Sequence, residues 1–250
     1  MDEASISPQS LYASLGTAAA PLILDVRRAS ARSRDPRLIA GALRLAVPPA
    51  GRAIVFYDAA GEGLARRAAA AHPPARFLAG GIAAWHAAEL PTRADLPLPS
   101  QWVTRERPKI DRIACPWLVS RFLDPLARFA YVPAGEVLAV ARRTDGAAFD
   151  IAGAAFTHRG ARCSFDAIIA AFGLQDRALR QLARIVGGAD TGRLRLAPQA
   201  AGLLAISLGL SANFPDDHAM LAAGLPLYDA LYAWCRFHQD AAHASPPLAA

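Results

Sequence analysis

Four short runs of branched and aromatic residues punctuate the first hundred positions, at residues 22–26, 43–47, 53–57 and 76–78. They are continuous rather than alternating, as strands covered on both faces require. Helical stretches lie between them. LARRAAAA follows the run at 53–57, and GGIAAWHAAELP follows the run at 76–78 and exits at Pro91. Residues 7–15 read as a further short helix with Pro8 in its first turn, and 28–40 read as polar loop. Strands alternating with helices specify an α/β unit built on a mostly parallel sheet.

Four prolines, Pro91, Pro97, Pro99 and Pro108, then stiffen a connector that Trp102 and Val103 anchor, or that ends by opening a strand. The sequence divides there into an α/β domain over 1–98, a proline-rich linker over 99–108 and a mainly α-helical (α+β) domain over 109–245. The second domain opens on RERPKIDRIACPWLVSRF, residues 105–122. Ile113 and Trp117 fall on one stripe of a helix, as do Ala114, Leu118 and Phe122. Asp111 is placed to cap the helix. Pro116 either kinks it or sits in the first turn of a helix starting near Cys115. Either way Arg107, Lys109 and Arg112 stand at or beside a helix start, where free N–H groups favour anions. With Arg121 they form a candidate oxyanion-binding set. The plainer reading is a solvated basic linker before a core helix.

Beyond it, 127–133 reads as a strand, 135–142 as a short helix and 147–158 as a hairpin region ending at Thr157-His158. Ser164 is placed to cap a helix through Phe172, and Asp176 the next one. Residues 187–192 read as a glycine-rich break, Pro198 opens another helix, a further helix starts at Asp217 and is interrupted at Pro226, and LYDALYAWCRF (227–237) forms the final long helix. The tail beyond 237 should fray.

Composition narrows the function. The chain has 250 residues, 54% of them hydrophobic, yet no apolar run long enough to span a bilayer and no basic, apolar leader at its start. Three scattered cysteines, Cys115, Cys163 and Cys235, suit a reducing compartment, so a cytoplasmic location is expected. The net charge of +6 is divided evenly, with 11 basic and 8 acidic residues in 1–100 and 16 and 13 thereafter. No basic tail or helix-turn-helix stands out, so nucleic-acid binding is not expected. Asp150, His158, Cys163 and Asp190 form a candidate transition-metal set, although their spacing is no zinc signature. A lone histidine beside buried aromatics is more often structural. Cys163, and Cys115 beside the basic cluster, are the candidate reactive thiols.

Two resemblances sharpen this. LDVR (24–27), AGA (40–42), IVFYDAAGEGLARRAA (54–69) and LAGGIAAWHAAELPT (78–92) resemble a rhodanese domain. Its active loop is similar to C-x-x-G-x-R, with a persulfide-carrying cysteine. Here Asp58 takes the cysteine position, Gly61 is retained and Gly63 takes that of the arginine. A carboxylate cannot carry sulfane sulfur, and Asp58 with Glu62 would repel a thiosulfate-like anion. The resemblance therefore implies a rhodanese-like domain without sulfur transfer, serving docking, dimerisation or cover. The second domain resembles the C-terminal domain of the chromate-resistance family ChrB. DRIACPWLVSRFLDPLARFAYV (111–132), FDIAGAAFTHRGARCSFDAIIAAFGL (149–174), RIVGGAD (184–190) and LPLYDALYAWCR (225–236) carry the likeness. Its positions map onto Asp111, Arg112, Trp117, Arg121, Phe149, Asp150, Thr157, His158, Cys163 and Asp190. Gly187 stands where members often have histidine.

The resemblance implies an accessory or sensory protein of chromate or oxidant stress that binds a small oxyanion (chromate or sulfate) or a metal. The alternatives are a metal-dependent oxidoreductase or remnant sulfurtransferase, and a non-catalytic module that docks a protein partner or forms a homodimer.

Overall fold

The runs at 22–26, 53–57 and 76–78 become β2 (Leu22–Asp25), β5 (Ile54–Tyr57) and β6 (Arg76–Leu78) of a five-stranded sheet; the run at 43–47 contributes only the short β4 (Ala42–Leu43), and β1 (Ser5–Ile6), outside all four runs, is the fifth strand. They lie in the order β1-β6-β5-β2-β4, every pair parallel. Helices α1 (Pro8–Ser14), α2 (Ala29–Arg34) and α3 (Leu64–Ala71) lie in the connections between them, and α4 (Gly81–Ala87) follows β6. This α/β arrangement is consistent with a rhodanese-like fold. The structure, a computed structural model, describes residues 4–45, 47–61 and 63–237. Glu62 and the tail expected to fray lie outside the described residues.

Ser7 caps α1 by accepting the Ser10 N–H at 3.1 Å, with Pro8 at the first helical position. Residues 28–40, expected as loop, instead form α2 and β3 (Arg37–Ile39), which pairs antiparallel with β7 (Thr92–Ala94). α2 buries none of its residues, so it leaves no apolar period in the sequence. The pairing of β3 is non-local and equally silent.

The second part starts from a smaller sheet. β8 (Trp102–Arg105), within the stretch read as linker, lies between β10 (Ala147–Ala148) and β9 (Phe129–Val132), parallel to both. Helix α5 (Ile110–Phe122) crosses from β8 to β9, and α6 (Val137–Arg143) from β9 to β10. β8 alternates between them. Trp102 joins the core that contains α5, whereas Val103 packs with Val137, Val140 and Ala141 of α6. Among the described residues, four α-helices follow: α7 (Ser164–Ala171), α8 (Arg177–Asp190), α9 (Gln199–Asn213) and α10 (Asp217–Phe237).

The late start near Cys115 and the breaks at Pro226 and 187–192 are absent from the structure. α5 starts at Ile110 and continues through Pro116. The bond Pro116 cannot make frees the Arg112 carbonyl, and the Tyr131 hydroxyl donates to it at 3.0 Å. α10 likewise runs through Pro226. Gly187 and Gly188 lie inside α8, where a Cβ on Gly188 would come within 3.0 Å of Ala200 in α9. Neither glycine makes a turn, and Gly188 serves close helix packing.

One apolar core crosses both parts. Leu11, Leu15 and Trp85 of the first share it with Trp117, Phe122 and Tyr232 of the second. Backbone bonds cross too: Gly41 N–H to the Phe122 carbonyl at 2.6 Å, and Ala94 N–H to the Phe172 carbonyl at 2.8 Å. Arg236 donates to the carbonyls of Tyr12 (2.9 Å) and Leu15 (3.1 Å).

Helices α5 and α10 approach closely at Gly224, where a Cβ would fall 2.6 Å from Ile113 Cγ2. Gly224→Val should lower unfolding stability by about 2 kcal/mol through overpacking. Urea denaturation checks this, and a midpoint equal to that of the parent would contradict the packing.

Candidate metal centre

The small sheet delivers the chemistry at the carboxyl ends of its strands. Arg105 ends β8, Asp150 lies two residues beyond β10, and Asp111 sits in the first turn of α5. Adjacent strands β8 and β10 feed connections that diverge, and such crevices are where open parallel sheets bind ligands. Asp150 adopts a left-handed backbone (φ 52°), which aspartate tolerates better than most residues. Its N–H donates to the Phe156 carbonyl, and Thr104 Oγ1 holds the Phe149 carbonyl at 2.8 Å. These bonds fix the turn that carries His158 back over the two carboxylates.

His158 Nε2 lies 3.5 Å from Asp111 Oδ2, 3.4 Å from Asp150 Oδ1 and 3.1 Å from Asp190 Oδ2. Asp190 is the last residue of α8, so the helix that continues through the two glycines is what brings it here. One ligand atom each from Asp111, Asp150 and His158 lie within 4.8 Å of one another. Asp111 and Asp150 are buried, while the His158 side chain is 40% exposed and offers the approach from solvent. Ser164 braces the pair. Its N–H donates to Asp111 Oδ2 at 2.6 Å and its hydroxyl to Asp150 Oδ1 at 3.0 Å. The cationic flank is Arg112 Nε, 3.2 Å from Asp150 Oδ2, with Arg105 Nη2 at 3.5 Å.

Three carboxylates thus face one imidazole. The hydrogen bond that His158 donates to Asp111, with the charges of Asp111, Asp190 and Asp150, raises its pKa to about 9 against the cost of burial. Burial and the neighbouring carboxylates Asp111 and Asp150 raise Asp190 to about 6. Burial, then Asp111, also raises Asp150. Asp111 Oδ1 is buried without a hydrogen-bond partner among the described residues. A buried carboxylate oxygen left unpaired is costly, and a cation would satisfy it. The donor set fits one: carboxylate oxygens with one imidazole suit a hard or borderline divalent ion. The cluster of two buried aspartates and one exposed histidine could therefore hold a metal ion.

The other expected site residues fall elsewhere. Of the basic set, only Arg112 reaches the carboxylates. Arg107 donates to the carbonyls of Ser211, Phe214 and Pro215 at the end of α9. Lys109 stands exposed at the start of α5. Arg121 forms a two-bond pair with Asp229, at 2.9 and 3.1 Å, which also accepts from Trp117. Cys163, rather than Ser164, is the N-cap of α7, reciprocating with Asp166 in a capping box. Cys163 and Cys115 are both fully buried, and burial followed by the charge of Asp111 pushes both thiols far up. They are protonated at neutral pH and so are poor nucleophiles. A Cβ on Gly187 would lie 3.9 Å from Cys163 Sγ and from Asp166 Oδ2. Position 187 therefore faces that cap. A cavity of about 500 Å³ opens beside it, walled by Arg159, Arg162, Cys163 and Asp166.

Asp111 was expected to cap α5, yet Lys109 holds that position and Asp111 reaches across to α7. One signal could have found it. Asp111 shares a helix face with Cys115, Leu118 and Phe122, and a charge on an apolar face needs a buried partner. Arg105 and Ser164 gave no such signal.

In the first part, Asp58 is buried and its carboxylate accepts four backbone N–H groups, from Ala60 (3.1 Å), Gly61 (2.5 Å), Gly63 (3.2 Å) and Ala65 (3.0 Å). Those bonds lower its pKa despite the burial. The loop's N–H cradle is filled by the chain's own anion.

A carboxylate–imidazole cluster at the mouth of a small parallel sheet, backed by four helices, is the class of centre defined here. Residues 102–235 match the family described as "ChrB, C-terminal domain", more than half of the 250 residues, and the chain belongs to that family. Protein ChrB of Cupriavidus metallidurans (strain CH34) is 38% identical over 133 residues, which is 53% of this chain. The matched stretch is 40% of that relative's own length. Among the described residues, no helix is long and apolar enough to cross a membrane.

The cluster predicts a pH dependence for the metal-free protein. His158 titrates at about 9 when folded against an ordinary 6.5, so its contribution is complete below about 6.5 and is lost as pH rises through 9. Asp190 at about 6, against 3.8, acts in the same direction at lower pH. The melting temperature should therefore fall between pH 6.5 and 9, and His158→Gln should flatten that limb. An unchanged slope in the variant would refute the assignment.

Proposed function

We propose that this protein is a ChrB-like metal-binding protein of chromate or oxidant stress, acting as an accessory or sensor rather than as a sulfurtransferase. The carrying observation is the convergence of Asp111, Asp150 and His158 from three separate segments, with an unpaired buried oxygen on Asp111. Asp111, Asp150 and His158 would hold a divalent ion, with Asp190 beside them. A bound ion supplies Lewis acidity or, for a redox-active metal, electron exchange. The chain's own contribution is orientation. Ser164 fixes both buried carboxylates, and Arg112 and Arg105 lie against Asp150 on the side where an anion would meet the ion. Arginine forks suit tetrahedral oxyanions such as chromate or sulfate, and the family resemblance favours the former. Arg107, Lys109 and Arg121 supply that role less well, because the first and last are committed to α9 and Asp229.

In this reading residues 1–98 are a rhodanese-like cover whose loop is closed on Asp58, and 109–245 carry the function. A metal-dependent oxidoreductase remains the second reading, supported by the solvent-facing His158. Asp58 in the cysteine position and the buried thiols weigh against sulfur transfer.

Elemental analysis of the purified protein should find a divalent metal. Calorimetric titration of the metal-free protein with Mn²⁺ or Zn²⁺ should give one site. Asp150→Asn or His158→Gln should weaken it by about 100-fold or more, beyond what loss of a supporting residue costs. Arg112→Ala should leave metal affinity within about threefold but abolish chromate or sulfate binding to the loaded protein. No metal, or affinity unchanged in both ligand variants, would remove the proposal.

A further inference from the structure

From Leu196 to Pro215 the chain carries no charged side chain, twenty residues in a protein that is 19% charged. Most of this stretch is α9. Ala200, Leu203 and Ser207 form its buried edge, toward α8 and α10. At 100° per residue the opposite side presents Ala201, Ala205 and Gly209 in its middle, with Leu208 on one flank and Ile206 on the other. Ile206 and Leu208 are each 49% exposed, and Leu194 and Leu196 extend the apolar surface before the helix. A globular protein ordinarily puts charge on such a face. Among the described residues nothing covers it.

The ends of the stretch carry opposite charges. Arg195 precedes it and Asp216 follows it, both exposed. They stand ten and eleven residues on either side of Ala205. Arg195 has no hydrogen-bond or ion-pair partner among the described residues, whereas the Asp216 carboxylate accepts only the Ala219 N–H there, at 2.7 Å. Both lie just outside α9, Arg195 in the turn before it and Asp216 after its C-terminus, so an antiparallel copy of the helix crossing at Ala205 would bring the Arg195 end of each toward the Asp216 end of the other. That is the self-complementarity a two-fold interface requires. A second copy fits this charge pattern, whereas a membrane surface would meet Asp216 as repulsion.

We infer that α9 is a homodimer interface, an antiparallel two-fold pairing of the uncharged face around Ala205 sealed at both ends by Arg195–Asp216 pairs. The small central residues let the helices approach closely, while Ile206 and Leu208 pack on either side of the seam. The helix offers about 22 Å of length, a small interface, so the dimer is reversible and of micromolar affinity. The interface is independent of the metal reading. Its test uses metal-free full-length protein, and the dimer stands or falls without the ion.

Sedimentation equilibrium from about 1 to 200 µM should show monomer passing to dimer, a range that brackets a small interface. Ile206→Asp should leave a monomer throughout, with an unchanged far-UV circular dichroism spectrum. Arg195→Asp should weaken the dimer about tenfold, and adding Asp216→Arg should restore it to within about threefold. Under mild oxidation Ala205→Cys should cross-link to itself. Ala201→Cys should cross-link to Gly209→Cys when the two are mixed. A monomer at every concentration overturns the inference. So does a dimer that survives Ile206→Asp and leaves Ala205→Cys uncross-linked.

Discussion

Helix α5 is buried on almost every side, ten of its thirteen residues being inaccessible, and the rest of the molecule depends on meeting its demands. Trp117 at its centre lies among Phe122, Phe165, Tyr228 and Tyr232, while its indole N–H is bound by Asp229. A helix sunk this deep must find partners for every polar group. Tyr131 takes the carbonyl freed by Pro116, Tyr228 reaches the Ile110 carbonyl, and the Phe122 carbonyl meets Gly41 of the other part. Asp111, at the opposite end, is the one charge on its buried face. The centre gathers round it because nowhere else can that carboxylate be balanced.

The small parallel sheet turns this necessity into a site. β8 and β10 end side by side, so Arg105, Asp150 and the start of α5 come together without any contiguous motif. Asp190 arrives on a helix from the far side and His158 on a braced turn. The result holds more negative charge than His158, Arg112 and Arg105 balance comfortably. Burial first, and then that excess, raises Asp150 and Asp190, while the hydrogen bond to Asp111 together with the same charges raises His158.

The first part was largely legible. Continuous apolar runs specify buried strands, and β2, β5 and β6 appear where LILDV, IVFY and RFL stand. β3 escaped because nothing within a dozen residues explains it. Proline and glycine misled in the second part. Pro116, Pro226, Gly187 and Gly188 usually end helices, but here tertiary packing outweighs the local preference. Asp150, His158 and Asp190 were legible as ligand types. Their meeting was not, since it depends on α8 continuing to residue 190. The basic set at 105–122 looked contiguous, yet a helix scatters such neighbours around its axis. Arg121 faces Asp229, and Arg112 faces Asp150.

Tyr12, Leu15 and Trp85 pack into the same interior as Trp117 and Tyr232, and Arg236 is stacked 3.8 Å over the Tyr12 ring. The front part is therefore no detachable module, even though the family likeness begins only at residue 102. In evolutionary shuffling, another fold could replace it only by supplying an equivalent greasy plug and two carbonyls for that guanidinium. Gene fusion at such a seam would demand co-adaptation of both sides, and swapping cassettes at the proline stretch alone would leave an open wound in the protein's interior.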